Sequence, residues 1–449
     1  MANQNNNYRS AFIIVTVLFF MWGFITVLVD ALIPRLRDVF ELSYFEAGLV
    51  QFSFFTAYFV FSIPGGGLIS KIGYKKGVVV GLITMGVGCL LFYPAASFRV
   101  FPIFLMAMFV LAGGITILQV AANPYVAALG PEETSSSRLN LSQAFNSLGT
   151  TIAPLVSAAF ILSSTVMSSD EVATLNDAQQ MAYYQAEAAA VQGPFIILAI
   201  VLIVLAGAFA LFNLPKILEG DDDKSGSYRT ALKIKHLMFG ALGIFVYVGA
   251  EVSIGSYLVN YFLELDVEAL VEGSAVMTSI ASTLSTIFSD TNIQDMNASQ
   301  LAGTYVFFYW GGAMVGRFLG SALLQKLKAG NLLASYAGVN VVLLLISMNT
   351  GGLLSFWSIL CIGLFNSIMF PTIFTLAIKG INQNTAQGSG ILCTAIVGGA
   401  IIPPLYGAMA DSFGLKIALL VPAVCYLYIL WYGKVGSKVE LEEVAEAKV

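Results

Sequence analysis

Two carboxylates lie inside long apolar runs, where an ionisable side chain is costly. Asp30 stands in FITVLVDALIP and Glu251 in YVGAEVSIGSY. A charge at the centre of a membrane span costs at least about 2.5 to 3.5 kcal/mol, so an ionisable residue found there usually has a function. Burial favours the neutral carboxyl and polar surroundings favour the charged one, so a changing environment can load and release a proton. Both residues are therefore candidates for ion coupling.

The coupled ion can be a proton or a sodium ion. Sodium is a hard cation that prefers several oxygen ligands, by analogy with other hard cations. Thr26, Asn140 and Ser147 are candidates to supplement Asp30 in such a site. Apart from this possible sodium site near Asp30, we predict no metal site and no cofactor.

Amides and aromatic rings give the second chemical signal. An amide donates and accepts hydrogen bonds, which suits a hydroxyl-rich ligand, and an aromatic face packs on the apolar side of a sugar ring. A single amide in a span is at least as often packing between helices, and a single ring is more often core or interfacial belt. Only the cluster favours a binding site. The candidate ligand-binding residues are Gln119, Asn123, Asn140, Gln143, Asn146, Tyr257, Asn260, Trp310 and Asn366.

Missing residue types narrow the ligand further. No Lys or Arg stands at mid-depth of an apolar run, where an anionic ligand needs a counter-charge, and Arg317 lies towards the inner end of its run. Walker A, HExxH and GxSxG motifs are absent from the sequence. The formal net charge of -5 gives no basic stripe for nucleic acid. These features favour a neutral ligand and argue against an enzyme, an ATP-driven pump and a nucleic-acid partner.

The elements that must position these side chains are membrane-spanning helices. Hydrophobic residues make up 58% of the 449 residues and charged residues 10%, against roughly 25% charged in soluble domains. With roughly 20 apolar residues needed for each crossing, the chain has room for about twelve spans. We predict them near 11–33, 48–70, 76–94, 100–128, 140–163, 193–214, 234–263, 301–326, 331–349, 352–379, 386–412 and 415–433.

Basic residues predict the orientation of these spans. If the N-terminus lies in the cytoplasm, the inner segments carry nearly all of the 21 basic residues and the outer ones only Arg35, Arg37, Arg99 and Lys416. The positive-inside rule then places both termini in the cytoplasm. We expect a multi-pass protein of a bacterial-type inner membrane that is embedded in the lipid bilayer as a monomer.

A hydrophilic segment, EGDDDKSGSY at 219–228, divides the spans into six and six. GTTIAPLVSAA from Gly149 in the fifth span matches GAIIPPLYGAM from Gly399 in the eleventh, which indicates a parallel duplication. The expected fold is all-α membrane, with twelve transmembrane helices in two pseudo-symmetric six-helix halves. The predicted parts are an N-terminal half at 1–214, a cytoplasmic linker at 215–233, a C-terminal half at 234–434 and a cytoplasmic tail at 435–449.

The loop between the second and third spans, GGLISKIGYKK from Gly66, resembles the signature loop of the major facilitator superfamily. Ser70 stands where that signature usually has an acidic residue. The resemblance implies the superfamily fold and a cytoplasmic gating loop. The residues that match the signature are Gly66, Lys71, Gly73, Lys75 and Lys76.

Longer stretches resemble the fucose/galactose/glucose:proton symporter family of that superfamily. They are NPYVAALGPEE, RLNLSQAFNSLG, YVGAEVSIGSYLVNYF and FPTIFTLAIKGI. In fucose members the important carboxylates are an aspartate that matches Asp30 and a glutamate that matches Gln119. Glu251 stands where those members have glutamine, and AEVSIGS is similar to the glucose/galactose branch. The resemblance implies sugar contacts for Gln143 and Asn146.

Residues and resemblance together predict a secondary active transporter that imports a neutral hexose of the glucose/galactose type with a proton, by alternating access. A sodium-coupled sugar symporter is the alternative. A proton-driven drug exporter is less favoured, because the fifth span reads LSQAFNSLGTTIAPL instead of a Gly-rich exporter motif. A sugar receptor without transport is a further hypothesis, because fold alone does not decide function.

Overall fold

A computed structural model of the protein describes residues 2–40, 44–98, 100–160, 172, 174–218, 226–288 and 292–439, without the side chains of 2–7, 29–40, 44–48, 51, 155–160, 177, 184, 187–191 and 288. A helix lies at each of the twelve predicted spans, which are numbered first to twelfth below. Their bounds are Ala2–Phe40, Tyr44–Ile72, Tyr74–Phe98, Phe101–Ala128, Ser135–Phe160, Asp177–Leu211, Lys235–Glu264, Ala298–Leu323, Ala329–Asn349, Gly352–Asn366 with Met369–Ala377, Thr385–Thr394 with Gly398–Phe413, and Leu415–Ala418 with Leu420–Trp431.

Ten helical segments in the described part of the chain are long and apolar enough to cross a membrane. The fifth and eighth spans are not among them, although each helix has 26 residues. In the fifth span, Asn140, Gln143 and Asn146 replace apolar residues and lower the mean hydropathy. The total of twelve crossings, and the cytoplasmic position of both termini, stay predictions.

Three late spans are interrupted, each in a different way. The tenth breaks at Ser367 and Ile368, shortly before Pro371, whose missing N–H removes one helix hydrogen bond. The eleventh contains a 3-10 turn at Ala395–Val397. The twelfth is interrupted at Leu419 and continues into a π-helix at Tyr432–Gly436. Local irregularity of this kind exposes backbone groups that side chains of neighbouring spans must satisfy.

Glycines mark the closest approaches between spans. A Cβ added at Gly363 in the tenth span would overlap the carbonyl of Tyr309 in the eighth, and one at Gly398 would overlap the carbonyl of Phe245. Small residues at such crossings let helix backbones come close, which is how membrane helices gain packing energy. These contacts fix the spans that carry the candidate site.

The described chain divides into two compact units. The first unit comprises Met1–Pro131, Phe145–Ala231 and Ile381–Thr394, and the second comprises Glu132–Ala144, Leu232–Gly380 and Ala395–Val449. The start of the fifth span thus belongs to the second unit, and the start of the eleventh to the first. These two spans carry the predicted internal repeat. The predicted boundaries of the halves, at 214 and 234, stay predictions.

Candidate substrate and ion-coupling site

Glu251 in the seventh span is the one predicted coupling carboxylate whose side chain is described. It is half-buried, and its Oε1 accepts a hydrogen bond of 2.7 Å from the hydroxyl of Tyr247 one turn earlier. The backbone carbonyl of Glu251 accepts a bond of 3.2 Å from Tyr309 in the eighth span. A carboxyl that is partly accessible and bound by a phenol can take up and release a proton.

An aromatic surface lies one helical turn beyond this carboxyl. Trp310 is 47% exposed, and its ring packs so closely on Gly255 that a Cβ there would stand 2.8 Å from the indole. The indole also meets the ring of Tyr309 edge-on, with centroids 5.0 Å apart. Trp310 therefore lies against the seventh span, one helical turn from Glu251.

Asn366, a predicted ligand contact, lies instead at the centre of a buried network in the second unit. Its Oδ1 accepts bonds from Asn340 at 2.8 Å and from Tyr426 at 2.7 Å. Its Nδ2 donates to the hydroxyl of Tyr309 at 2.9 Å. Both oxygen lone pairs and one amide proton are thus used within the protein, and the residue is fully buried.

Tyr257 and Asn260 follow Glu251 on the seventh span but point elsewhere around the helix. The ring of Tyr257 packs on Tyr406 of the eleventh span, with centroids 4.9 Å apart, and is half-buried. The side chain of Asn260 is exposed. Neither shares a face with the Glu251 carboxyl, and their sugar contacts stay predictions.

The second unit also holds Asn140 and Gln143, from the start of the fifth span. Both are buried, at 0% and 6% exposure. The two polar side-chain atoms of Asn140 have no hydrogen-bond partner among the described residues, which costs about 1 to 3 kcal/mol for each buried group. Nearby on the same helix, Ser136 bonds Thr375 at 2.6 Å.

In the first unit, Gln119 and Asn123 face the interior from the fourth span. Gln119 donates to the hydroxyl of Tyr58 at 2.8 Å, while its Oε1 lacks a partner within the described chain. Asn123 is fully buried, and both of its amide atoms are likewise unpaired among the described residues. These two amides have hydrogen-bonding capacity that the described side chains do not use.

Asn146 joins the fifth span to the first. Its Nδ2 donates to the carbonyl of Phe19 at 2.9 Å. Asp30 lies in the first helix, but its side chain is outside the described residues. The possible sodium site near Asp30 is therefore outside them too. Of the residues predicted to supplement it, Thr26 donates its hydroxyl proton to the carbonyl of Trp22 at 2.9 Å, which leaves its oxygen lone pairs for other partners.

The predicted gating loop lies at the end of the second span and leads into the third. Gly73 adopts a left-handed φ of 83°, which glycine tolerates best. Lys75 donates to the carbonyl of Ala210 at 2.7 Å, so it caps the C-terminus of the sixth span, where a cation is favoured. Ser70, in the place of the usual acid, bonds its own helix at Gly67 over 2.8 Å. Lys71 and Lys76 are exposed.

Gly66, the first residue of the signature, approaches the linker. A Cβ there would stand 2.5 Å from the hydroxyl of Tyr228, and that hydroxyl donates to the carbonyl of Ile63. Burial raises the pKa of the Tyr228 phenol to about 12, so it stays a donor near neutral pH. The linker also bonds the start of the eleventh span, through Ser227 to Asn384 at 3.0 Å.

Arg138, beside the Ser136 contact, lies just before the predicted fifth span. Its Nη1 donates to the hydroxyl of Thr134 at 2.6 Å.

The sequence alone did not single out four residues of this site. They resemble the many other tyrosines and amides in apolar runs, and only their contacts distinguish Tyr58, Tyr309, Asn340 and Tyr426. One signal was present for the network, because Asn366 stands five residues before Pro371, and a proline in a span indicates backbone groups that need other partners.

Comparison with known proteins gives consistent results. Residues 10–396 match the Major Facilitator Superfamily family model. A glucose/galactose transporter of Brucella abortus is 50% identical over 440 residues, which is 97% of this chain and 96% of the relative. The L-fucose-proton symporter of Escherichia coli is 34% identical over 445 residues, or 97% and 95% of the two chains. A crystal structure of a superfamily transporter, FucP, in the outward conformation superposes with a TM-score of 0.85 at 33% identity and covers 96% of this chain and 100% of its own.

Proposed function

Because the chain belongs to the major facilitator superfamily, in the group of glucose/galactose transporters and fucose:proton symporters, we propose that it imports a neutral hexose of the glucose/galactose type by symport with a proton. It is a multi-pass protein of a bacterial-type inner membrane and not an enzyme. The observation that carries the proposal is the half-buried carboxyl of Glu251 beside the exposed ring of Trp310. A proton-binding group and a sugar-stacking surface then share one site.

The proposed roles follow from position and from the resemblance. Asp30 in the first span carries the coupling proton. Glu251 in the seventh span couples the proton, binds a sugar hydroxyl, or does both. Amides with unused hydrogen-bonding capacity, above all Asn123 and Asn140, contact the sugar directly or through water. The proposed sugar-binding set is completed by Gln119, Gln143, Asn146, Tyr257 and Asn260. Asn366 is bound within the buried network and positions the tenth span instead.

Alternating access requires the two sequence halves to rock about the site. The contacts that join the halves in sequence include Ser137 with the carbonyl of Ser321 at 2.8 Å and Ser389 with the carbonyl of Val120 at 2.8 Å. Both serines start spans that begin on the cytoplasmic side in the predicted orientation. We propose that these contacts form a cytoplasmic gate that must open to release sugar.

Sodium is the second candidate for the coupling ion, because Thr26 and Ser147 are oxygen donors on the two spans that meet at Asn146 and Phe19. A sodium site there would use the Asp30 carboxylate as its charged ligand. A proton would instead need only a carboxyl whose surroundings alternate.

Counterflow of radiolabelled glucose and galactose in proteoliposomes tests the substrate. Exchange of at least one hexose is expected, and no exchange of any hexose would reject sugar transport and favour a receptor or an exporter of other solutes. Imposed pH and sodium gradients, applied separately, then decide the ion. We expect accumulation with the pH gradient alone.

The same vesicles test Asp30. Asp30→Asn should lose accumulation and retain counterflow, because exchange needs no net proton movement. Asp295→Asn, at an exposed carboxylate outside the spans, is the matched control and should accumulate sugar normally. Accumulation by Asp30→Asn at the wild-type level would show that another residue couples the proton.

A further inference from the structure

The break in the tenth span is held by side chains from two other spans. Pro371 has no N–H, so the helix cannot bond the carbonyl of Ser367 four residues earlier. Arg317 of the eighth span donates to that carbonyl instead, at 3.2 Å. The neighbouring carbonyl, of Asn366, accepts a bond from the hydroxyl of Tyr247 at 3.2 Å. The backbone at the break therefore depends on Arg317 and Tyr247.

Tyr247 has two acceptors for one proton. Its hydroxyl lies 2.7 Å from Oε1 of Glu251 and 3.2 Å from the carbonyl of Asn366. An ionised carboxylate only accepts hydrogen bonds, whereas a protonated carboxyl also donates one. When Glu251 is ionised, the tyrosine proton points to the carboxylate. When Glu251 is protonated, the carboxyl donates to the tyrosine oxygen, and the tyrosine proton turns to the Asn366 carbonyl.

The rest of the network keeps this geometry fixed. Asn340 and Tyr426 hold Asn366 by its Oδ1, and Tyr309 bridges the Asn366 amide and the backbone of Glu251. In this conformation the carboxyl and the break are therefore held close enough for one tyrosine hydroxyl to reach both. Among the described side chains, the hydroxyl of Tyr247 lies within hydrogen-bond distance of both, while Arg317 bonds the carbonyl of Ser367 and faces Glu251.

We propose that Tyr247 is a positioning residue that transmits the protonation of Glu251 to the break in the tenth span, and so couples the proton to helix movement. The inference rests on the proposed function, in which Glu251 handles the proton. Protonation strengthens the bond to the Asn366 carbonyl and stabilises the broken helix. Deprotonation withdraws that bond and leaves the carbonyl free to find a partner in a rearranged helix.

Within the described residues, titratable and charged groups from three spans face Glu251. Tyr247 lies on its own helix, Tyr309 and Arg317 come from the eighth span, and Tyr426 comes from the twelfth. The second segment of the tenth span, Met369–Ala377, has no ionisable side chain. From the eleventh span, Tyr406 faces Tyr257.

Tyr247→Phe is the direct test, with Tyr426→Phe as the matched control. Both variants remove a buried phenol hydroxyl from one network, but only Tyr247 contacts the carboxyl. Loss of a hydrogen bond to the ionised form makes Glu251 hold its proton to higher pH. We expect the pH profile of hexose accumulation to move about 1 to 2 pH units towards alkaline in Tyr247→Phe. Tyr426→Phe should keep the wild-type profile even if its rate falls.

Infrared difference spectroscopy of the wild-type protein gives a second measurement that needs no substrate. The carboxylic C=O band that Glu251→Gln removes should rise as pH falls, and the phenol band that Tyr247→Phe removes should shift over the same pH range. The proposal would be overturned if the pH profiles of wild type and Tyr247→Phe overlapped. It would also be overturned if the phenol band did not shift over the pH range in which Glu251 is protonated. A failure of hexose counterflow would instead reject the proposed substrate, because the infrared bands report the proton switch by themselves.

Discussion

The carboxamide of Asn366 should be a main source of stability in the second unit. It makes three hydrogen bonds, to Asn340, Tyr426 and Tyr309, which join the tenth span to the ninth, twelfth and eighth. Interhelical bonds in membranes average about 0.6 kcal/mol and reach about 1.7 kcal/mol. Asn366→Ala should therefore lower the free energy of unfolding by about 2 to 5 kcal/mol.

A double-mutant cycle isolates one of these bonds. Asn340→Ala removes the 2.8 Å bond to Asn366 but also removes Oδ1 of Asn340, which is buried without a partner among the described residues. The two effects oppose each other, so the single variant should change stability by less than about 1 kcal/mol. The double variant should be more stable than additivity predicts, by about 0.5 to 1.5 kcal/mol, since one bond is lost only once.

Reversible unfolding in mixed detergent, followed by circular dichroism, measures these differences. Asn260→Ala is the control, because this exposed amide of the seventh span should change stability by less than about 0.5 kcal/mol. Additive effects of Asn340→Ala and Asn366→Ala, or a cost below about 1 kcal/mol for Asn366→Ala, would refute the view that Asn366 organises this packing.

Two further predictions concern the linker and the helix crossings. Tyr228→Phe removes the hydrogen bond to the carbonyl of Ile63, which is worth about 1 kcal/mol. The rate of amide hydrogen exchange in the linker should therefore rise about fivefold. An unchanged rate would show that the Tyr228 hydroxyl does not hold the linker in place. Gly363→Ala places a methyl group against the carbonyl of Tyr309 and should cost about 1 to 3 kcal/mol in detergent unfolding. Gly207→Ala is the control, because nothing lies within 4 Å of a Cβ at that position. It should leave stability unchanged or raise it by up to about 1 kcal/mol. Equal effects of the two alanine substitutions would contradict the close crossing at Gly363.

Sequence patterns predicted the helices well, because membrane spans are set by local hydrophobicity. A helix lies at every predicted span, and the resemblance to the superfamily is confirmed by the family model and the relatives. The breaks in the tenth and eleventh spans were not located, since the hydrophobic run continues through them. Only the backbone shows that Ser367 ends one helical segment.

Site residues were predictable by type and less so by role. Tyr247 and Glu251 are four residues apart, a spacing that puts two side chains on one helix face, and the structure joins them by a hydrogen bond. Asn366 has the same residue type as Asn123, yet the first is hydrogen-bonded at both amide atoms and the second is unpaired within the described chain. This difference depends on which tyrosines of distant spans reach each amide, and sequence separation does not reveal it.

By itself, the sequence determined that this chain crosses a membrane many times and carries two costly carboxylates among uncharged polar groups. Both conclusions follow from transfer free energies, which depend on the residue and its immediate neighbours. Only the tertiary structure decided that the Glu251 carboxyl meets Tyr247, that Tyr247 also reaches the break in the tenth span, and that Trp310 lies one turn away. These contacts join the seventh, eighth and tenth spans, and their geometry is set by glycine crossings and helix packing over more than a hundred residues of chain.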